Sequence, residues 1–288
     1  MKTFDEIYEQ LKNNHGFLLV HEGELPSEIL SNDNYNIRAQ KNEKGISYYD
    51  VQQSFSSVRR QKENVNIYQK SIIQHLITEK NISVLDAGTG TGIEFKKFIE
   101  KTNEYSTIDK AVAIDLSQGM VDEAKKNLKD IADVYKKDMT NTYFKNELFD
   151  LIRVSNGTLG HLNNNLIEKG LNHFYDLLKP DGILLFDVMS KDKGILNQMS
   201  KNMGNQAINL VYFVPLEENG NCYLRQNMNK KESHNNKFIV GSIRLFSNND
   251  ITSLVNQAGF SDINFKYISW DNNSENNSVF NIAYVIKK

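Results

Sequence analysis

A chain of 288 residues with 39% hydrophobic content can bury a substantial core, and one large α/β domain with additions accounts for its length. Its formal net charge is -2, with Lys and Arg scattered along the chain, so it carries no electrostatic footprint for a nucleic-acid backbone and favours a small-molecule substrate. Cys222 is the only cysteine, which excludes an intrachain disulfide and any multi-cysteine metal site; no metal is expected, as suits a reducing cytoplasm.

The opening segment sets Phe4, Ile7, Tyr8 and Leu11 on one helical face, with Asp5, Glu6 and Glu9 where a targeting peptide would be basic. That apolar face can serve a homo-oligomer as well as its own domain. Residues 16–20 suggest a short strand and residues 32–44 an irregular polar stretch, so 1–47 reads as an N-terminal extension to a main domain over 48–288. No apolar span reaches membrane length, which predicts a soluble, cytoplasmic protein. Tyr48, Tyr49 and Asp50 lead through Arg59 and Arg60 to a helix expected over 67–77.

The most informative stretch follows. Ile82, Val84 and Leu85 read as a buried strand that runs through Asp86 and Ala87 into Gly88, Thr89, Gly90, Thr91 and Gly92, and a helix begins at once with Ile93, Phe95, Phe98 and Ile99 at helical spacing. Glycines at a strand-to-helix turn permit close backbone approach to a ligand, where free amides and the helix dipole await polar groups. The spacing is GxGxG; the dinucleotide fingerprint GxGxxG fails at Ile93, and the Gly-Lys-Ser/Thr of a phosphate loop is absent. A second apolar strand, residues 111–116, ends in Asp115, where a doubly wound nucleotide binder places a carboxylate on ribose hydroxyls. Ser117 can cap the next helix, whose stripe is Met120, Val121, Ala124 and Leu128; Leu116 and Met120 can flank an adenine, although core packing explains Met120 equally well. After a third strand around 132–135 comes Lys137-Asp138-Met139-Thr140.

A fourth strand over 149–154 enters the small, polar turn Ser155-Asn156-Gly157-Thr158-Leu159-Gly160-His161-Leu162. A helix and the turn Lys179-Pro180-Asp181-Gly182 precede a fifth strand over 183–188. Alternating runs at 211–214, 223–228 and 238–246, separated by turn-forming polar residues, predict an antiparallel β lid inserted over about 205–246. Its candidate substrate contacts are Tyr212, Tyr223, Arg225 and Arg244; an exposed alternating face would carry the same side chains. Two closing strands, 263–269 and 279–286, complete a seven-stranded sheet with right-handed crossovers.

From Tyr68 onward these motifs resemble the class I methyltransferases that use S-adenosyl-L-methionine and release S-adenosyl-L-homocysteine. The resemblance implies a Rossmann-like, doubly wound, mostly parallel sheet whose last strand inserts antiparallel. It also implies a cofactor site of Tyr49, Arg60, Asp86, Ala87, Gly88, Thr89, Gly90, Gly92, Asp115, Leu116, Met120, Asp138, Met139 and Ser155, in which Asp86 helps hold the cationic methionine end and Asp138 accepts from the adenine amino group. The turn at 155–162 is similar to that of glycine, sarcosine and amino-sugar N-methyltransferases. Asn156 is thereby the candidate that holds the acceptor amine and His161 the candidate base; a packed imidazole is the plain alternative for His161. Glycine methyltransferases present an arginine after the fifth strand, and here Asp187-Val188-Met189-Ser190-Lys191 stands instead, so glycine is disfavoured unless Lys191 or Arg153 substitutes, and Arg153 reads better as a strand residue satisfied elsewhere. An O-methyltransferase and a catalytically silent cofactor-binding module remain as alternatives. A nucleic-acid or protein methyltransferase would need a basic rim or a base-flipping element that is absent.

Overall fold

Apolar β-branched runs that alternate with amphipathic helices have one stable arrangement, a parallel sheet buried on both faces. The computed structural model describes residues 18–20, 39–41, 45–53, 56–77, 81–144, 148–162, 164–191, 212–218, 221–232, 235–269 and 280–288. Its strands are β1 (Leu18–Val20), β2 (Asn81–Ala87), β3 (Thr107–Asp115), β4 (Asp133–Lys136), β5 (Phe149–Val154), β6 (Leu178–Met189), β7 (Tyr212–Glu218), β8 (Asn221–Glu232), β9 (Asn235–Leu245), β10 (Asp262–Ser269) and β11 (Phe280–Lys287). The helices are α1 (Tyr48–Gln53), α2 (Ser56–Leu76), α3 (Ile93–Thr102), α4 (Gln118–Asn127), α5 (Asn164–Leu177) and α6 (Asn248–Gln257), with a 3-10 turn at Thr158–His161.

The main sheet has seven strands in the order β10-β11-β6-β5-β2-β3-β4, and β11 runs antiparallel to both its neighbours. This is the Rossmann-like methyltransferase fold that the motifs imply. Chain order reverses between β2 and β5, which pair in parallel, so the crevice beyond their carboxyl ends is the switch point where such sheets bind ligands. One face of the sheet packs Val84, Leu151 and Leu185 against Ile73 of α2, Phe95 and Ile99 of α3 and Ala124 of α4. The other packs Leu85, Ile152 and Phe186 against Leu171 and Phe174 of α5 and Val255 of α6. Every residue of β2 after Asn81 is buried, as a central parallel strand covered on both sides requires.

Two boundaries differ from the sequence reading. The helix expected over 67–77 begins at Ser56, so Arg60 lies inside it and not before it. Its first turns are rich in Arg, Gln, Lys and Glu, good helix formers that leave no apolar period to read. The fifth strand starts at Leu178, paired with Phe149 ahead of an irregularity in register, and not at Ile183.

The insertion is the expected antiparallel set, β7 with β8 and β8 with β9, but its sheet has a fourth member. β1, from the N-terminal extension, pairs parallel with β9, Leu18 to Val20 against Lys237 to Ile239. This small sheet is therefore built from both the insertion and the N-terminal extension. Hydrogen bonds from Phe246 N to Met189 O (2.9 Å) and from Lys191 N to Phe246 O (2.8 Å) join it to the end of β6, and β9 lies against the 3-10 turn. Residues 205–211, assigned to the lid by sequence, lie outside the described residues.

Candidate functional site

The three glycines do separate jobs. All have positive φ, 76° at Gly88, 58° at Gly90 and 79° at Gly92, angles that L side chains adopt only with strain. A Cβ on Gly88 would stand 2.6 Å from Thr158 Cγ2, one on Gly92 2.8 Å from Leu128 Cδ1, and one on Gly90 3.4 Å from the Tyr49 ring. Gly92 thus admits the α4 boundary, Gly90 admits the N-terminal segment, and Gly88 admits the turn after β5. Gly88→Ala is expected to lower unfolding free energy by about 1–3 kcal/mol. Thr158→Ser in the same chain should restore part of that loss by removing Cγ2, as read from urea midpoints.

Asp115 fixes the loop. Its Oδ2 accepts the Gly90 N–H and its Oδ1 the Ser117 N–H, both at 2.9 Å, while Gly88 and Thr89 donate to the Ile114 carbonyl at 2.8 and 3.0 Å. Burial pushes the Asp115 carboxyl up to about 6, against the pull of the Ser117 and Gly90 amides, and the nearby Asp86 carboxylate adds to the rise. Leu116 is half-buried beside it, and Ser117 caps α4 by accepting from Met120 N, as expected. Met120 is fully buried, as core packing requires.

Asp86 lies one residue before the end of β2, deep in the sheet. Its Oδ1 accepts Arg153 Nη1 at 2.7 Å in an ion pair with both side chains at most 2% exposed, while Oδ2 is enclosed with no hydrogen-bond partner. Thr89 Oγ1 is likewise enclosed and unpartnered, beside the buried Ala87. Arg153 is thereby spent inside the domain, with Phe98 at 5.2 Å from its guanidinium carbon, and Lys191 pairs with Asp250 at 2.8 Å. Neither is available to replace a substrate-gripping arginine.

On the far side, Asp138 Oδ1 accepts the Thr140 N–H and hydroxyl, each at 2.8 Å, and Met139 stands against the Gly88 position. The turn after β5 approaches from opposite β2. Asn156 has φ 63°, a left-handed angle held by its N–H donating to Asp187 Oδ1 at 2.7 Å, and its side-chain amide donates to Ser155 Oγ at 3.4 Å. Asp187 is buried at the end of β6, and its Oδ2 accepts from Asn281 of β11 at 2.6 Å. Burial raises its carboxyl above the usual carboxylate range. His161 closes the turn half-buried between the buried Leu159 and Leu162.

The N-terminal segment passes over the loop, with the Tyr49 ring against Gly90. Its tether escaped the sequence reading: Asp50 accepts the Thr91 hydroxyl at 2.7 Å and the Ser47 hydroxyl at 2.6 Å. The gap left between segment and loop is lined by Tyr49, Asp50, Arg59, Thr89, Ile93 and Asn156, among others. Asp187 was also missed, although a lone carboxylate in the apolar run 183–188 was its signal. Arg244 is buried, its guanidinium carbon 4.5 Å from the Phe246 ring centre, and so does not stand on an exposed lid face. Tyr212, Tyr223 and Arg225 lie on β7 and β8 and Arg60 on α2; their side chains are outside the described residues. Among the described residues no His, Cys, Asp and Glu cluster could hold a metal ion, and no helix is long and apolar enough to cross a membrane.

Residues 84–182 match the family model of a methyltransferase domain. No curated protein matches the chain. Among solved structures it is similar to an S-adenosylmethionine-dependent methyltransferase from Clostridium acetobutylicum, with 18% identity over 83% of this chain and 98% of that one and a TM-score of 0.59. It is also similar to the sugar N-methyltransferase KedS8 from Streptoalloteichus, with 13% identity over 95% and 99% of the two chains and a TM-score of 0.59. The CcbJ methyltransferase from Streptomyces caelestis is 10% identical over 76% of this chain and 88% of its own, with a TM-score of 0.58. At these identities the likeness is one of fold.

Proposed function

We propose that this chain is an S-adenosyl-L-methionine-dependent methyltransferase that transfers its methyl group to a nitrogen of a small molecule by in-line displacement. The observation that carries the reading is a glycine loop whose left-handed backbone is tied down by Asp115 and flanked by two enclosed, unpartnered oxygens, Asp86 Oδ2 and Thr89 Oγ1. Buried acceptors without donors fit a ligand that brings its own N–H and O–H groups. The residues present suit this cofactor: Asp86 Oδ2 for the methionine ammonium, Asp115 for the ribose hydroxyls, Asp138 for the adenine amino group, and Leu116 and Met139 against its rings. Tyr49 and Asp50 would close the methionine end.

When bound, the sulfonium supplies an already activated methyl group. What remains for the protein is to exclude water and align a lone pair, a contribution of roughly 7 to 11 kcal/mol in well-oriented reactions. Asn156, fixed in its left-handed angle by Asp187, would orient an amine through its side-chain carbonyl. His161 serves as base only for an acceptor that begins protonated, where such help is worth roughly 10²- to 10⁴-fold. A small-molecule acceptor is supported by the chain's net charge of -2 with Lys and Arg scattered in sequence, and nitrogen by the turn at 155–162 and by the sugar N-methyltransferase among the similar structures. Glycine is disfavoured because Arg153 and Lys191 are both engaged.

Methyl transfer from labelled cofactor to amino sugars, amino acids and other small amines, run beside their hydroxyl analogues, tests the reading. Turnover is expected with an amine of the set and not with its hydroxyl analogue. The reverse preference would make this an O-methyltransferase, and calorimetric binding of S-adenosylhomocysteine without any transfer would make it a silent binding module. His161→Gln with full turnover at neutral pH would remove the base role.

A further inference from the structure

From Val65 onward the stripe of α2 that faces the sheet is apolar or satisfied. Val65 and Ile73 are buried, and Gln69 donates to the carbonyls of Phe186 at 3.0 Å and Tyr284 at 3.2 Å. Lys62 stands on the same stripe, only 7% exposed, and its Nζ has no hydrogen-bond partner. The carboxylates whose charge it feels are occupied: Glu94 accepts from Lys97 at 2.9 Å, and Asp187 from Asn156 and Asn281. An enclosed ammonium with three unused donors is unfavourable unless something anionic meets it. Burial lowers its pKa to about 8, with Glu94 and Asp187 opposing the fall and Arg153 and Lys97 adding to it.

Lys62 lines a groove between α2 and α3. Arg59, Lys70, Lys97 and Lys101 stand around the same groove, so five cations face the carboxylates of Glu63 and Glu94. Local pairing takes up three of them: Arg59 with Glu63 at 3.6 Å, Lys70 with Glu104 at 2.5 Å and Lys97 with Glu94. Lys101 forms no ion pair among the described residues, which leaves it and Lys62 as surplus positive charge. The groove wall between them is apolar, formed by Ile73, Phe98 and Tyr105. A flexible four-carbon stem lets the Lys62 ammonium move into the groove that the stem already lines.

We propose that this groove binds a small organic anion, a phosphate or carboxylate on a flat apolar body, with Lys62 as its cationic anchor and Phe98 and Tyr105 against the body. The site lies beside the cofactor crevice and does not depend on the methyl-transfer reading. Arg59, Glu94 and Lys97 line both the groove and the gap above the glycine loop, so occupancy of one is coupled to occupancy of the other. Any change that the anion makes in cofactor affinity must appear equally in the reverse direction.

Calorimetric titration with phenyl phosphate, alone and after saturation with S-adenosylhomocysteine, tests the site. One saturable event is expected in both titrations, stronger than with inorganic phosphate or phenol. Lys62→Met should weaken it by at least about tenfold, since a charge-assisted bond is lost, and should melt no lower than the parent because an apolar group of similar volume replaces an unpaired charge. Lys101→Gln, on the exposed rim where folding is not at stake, should weaken it by a smaller factor. No saturable heat in the parent chain, undiminished affinity in both variants, or loss of binding once S-adenosylhomocysteine fills the crevice would each overturn the proposal. Failure of S-adenosylhomocysteine itself to bind would count against the methyltransferase reading alone.

Discussion

Asp115→Ala is expected to bind S-adenosylhomocysteine at least about 100-fold more weakly than the parent chain, because two hydrogen bonds to a charged group are worth about 1.5–3 kcal/mol each. Part of the loss is indirect: the same carboxylate accepts the Gly90 and Ser117 amides, so its removal also releases the loop. Asp115→Asn keeps an acceptor and loses the charge, and should fall between the two. The pH dependence separates charge from shape. Ribose hydroxyls donate best to the ionised carboxylate, and burial has pushed that group up to about 6, so the parent's affinity should fall as pH drops through that value while the Asn variant stays flat. Stability of the ligand-free protein runs the other way. The folded pKa is raised above its ordinary 3.8, so between these values the folded state holds the proton more tightly and acidification adds stability, by at most about 3 kcal/mol. Opposite slopes for affinity and stability over one pH window would be hard to produce from any other group. Parallel slopes, or an Ala variant that binds normally, would remove Asp115 from the site.

What could be read from the sequence was whatever repeats at short range. The buried run into Gly88, the apolar strand into Asp115 and the cap at Ser117 are local patterns, and the fold they imply is the one observed. The first turns of α2 were invisible because Arg59, Lys62 and Glu63 supply helix propensity without an apolar period. Pairing of Leu18–Val20 with Lys237–Ile239 joins segments more than 200 residues apart, and three apolar residues carry no register information over that distance. Met120 is ambiguous in sequence because helix spacing places core and ligand contacts on one face. Arg153 is satisfied inside the sheet, as its place in an apolar strand suggests, but the role of Asp187 was not legible. A carboxylate at the end of an apolar strand reads as solvent-facing, whereas Asp187 points with Arg153 into the layer beneath α2 and α3 and accepts from the turn after β5 and from β11.

That layer sets the second large effect. Arg153→Leu should destabilise the fold by about 3–5 kcal/mol, the range found when one member of a buried ion pair is removed, because Asp86 at 1% exposure would keep its charge without the guanidinium at 2.7 Å. A surface pair of the same length would cost under about 1 kcal/mol, so the size of the loss reports burial directly. Arg153→Lys retains the charge but loses the planar guanidinium that lies 5.2 Å from the Phe98 ring, and should be intermediate. The informative comparison is with Asp86→Leu in the Arg153→Leu background. Replacing both charges by apolar groups removes the desolvation penalty together with the attraction, so the double variant is expected to recover most of the stability lost in the single one. It should not recover cofactor binding, because Asp86 Oδ2 is gone. Urea midpoints measure the first quantity and calorimetry with S-adenosylhomocysteine the second. A fully stable Arg153→Leu chain with altered acceptor preference would return Arg153 to the substrate. Restored folding without restored binding would show instead that one aspartate serves the fold through Oδ1 and the ligand through Oδ2.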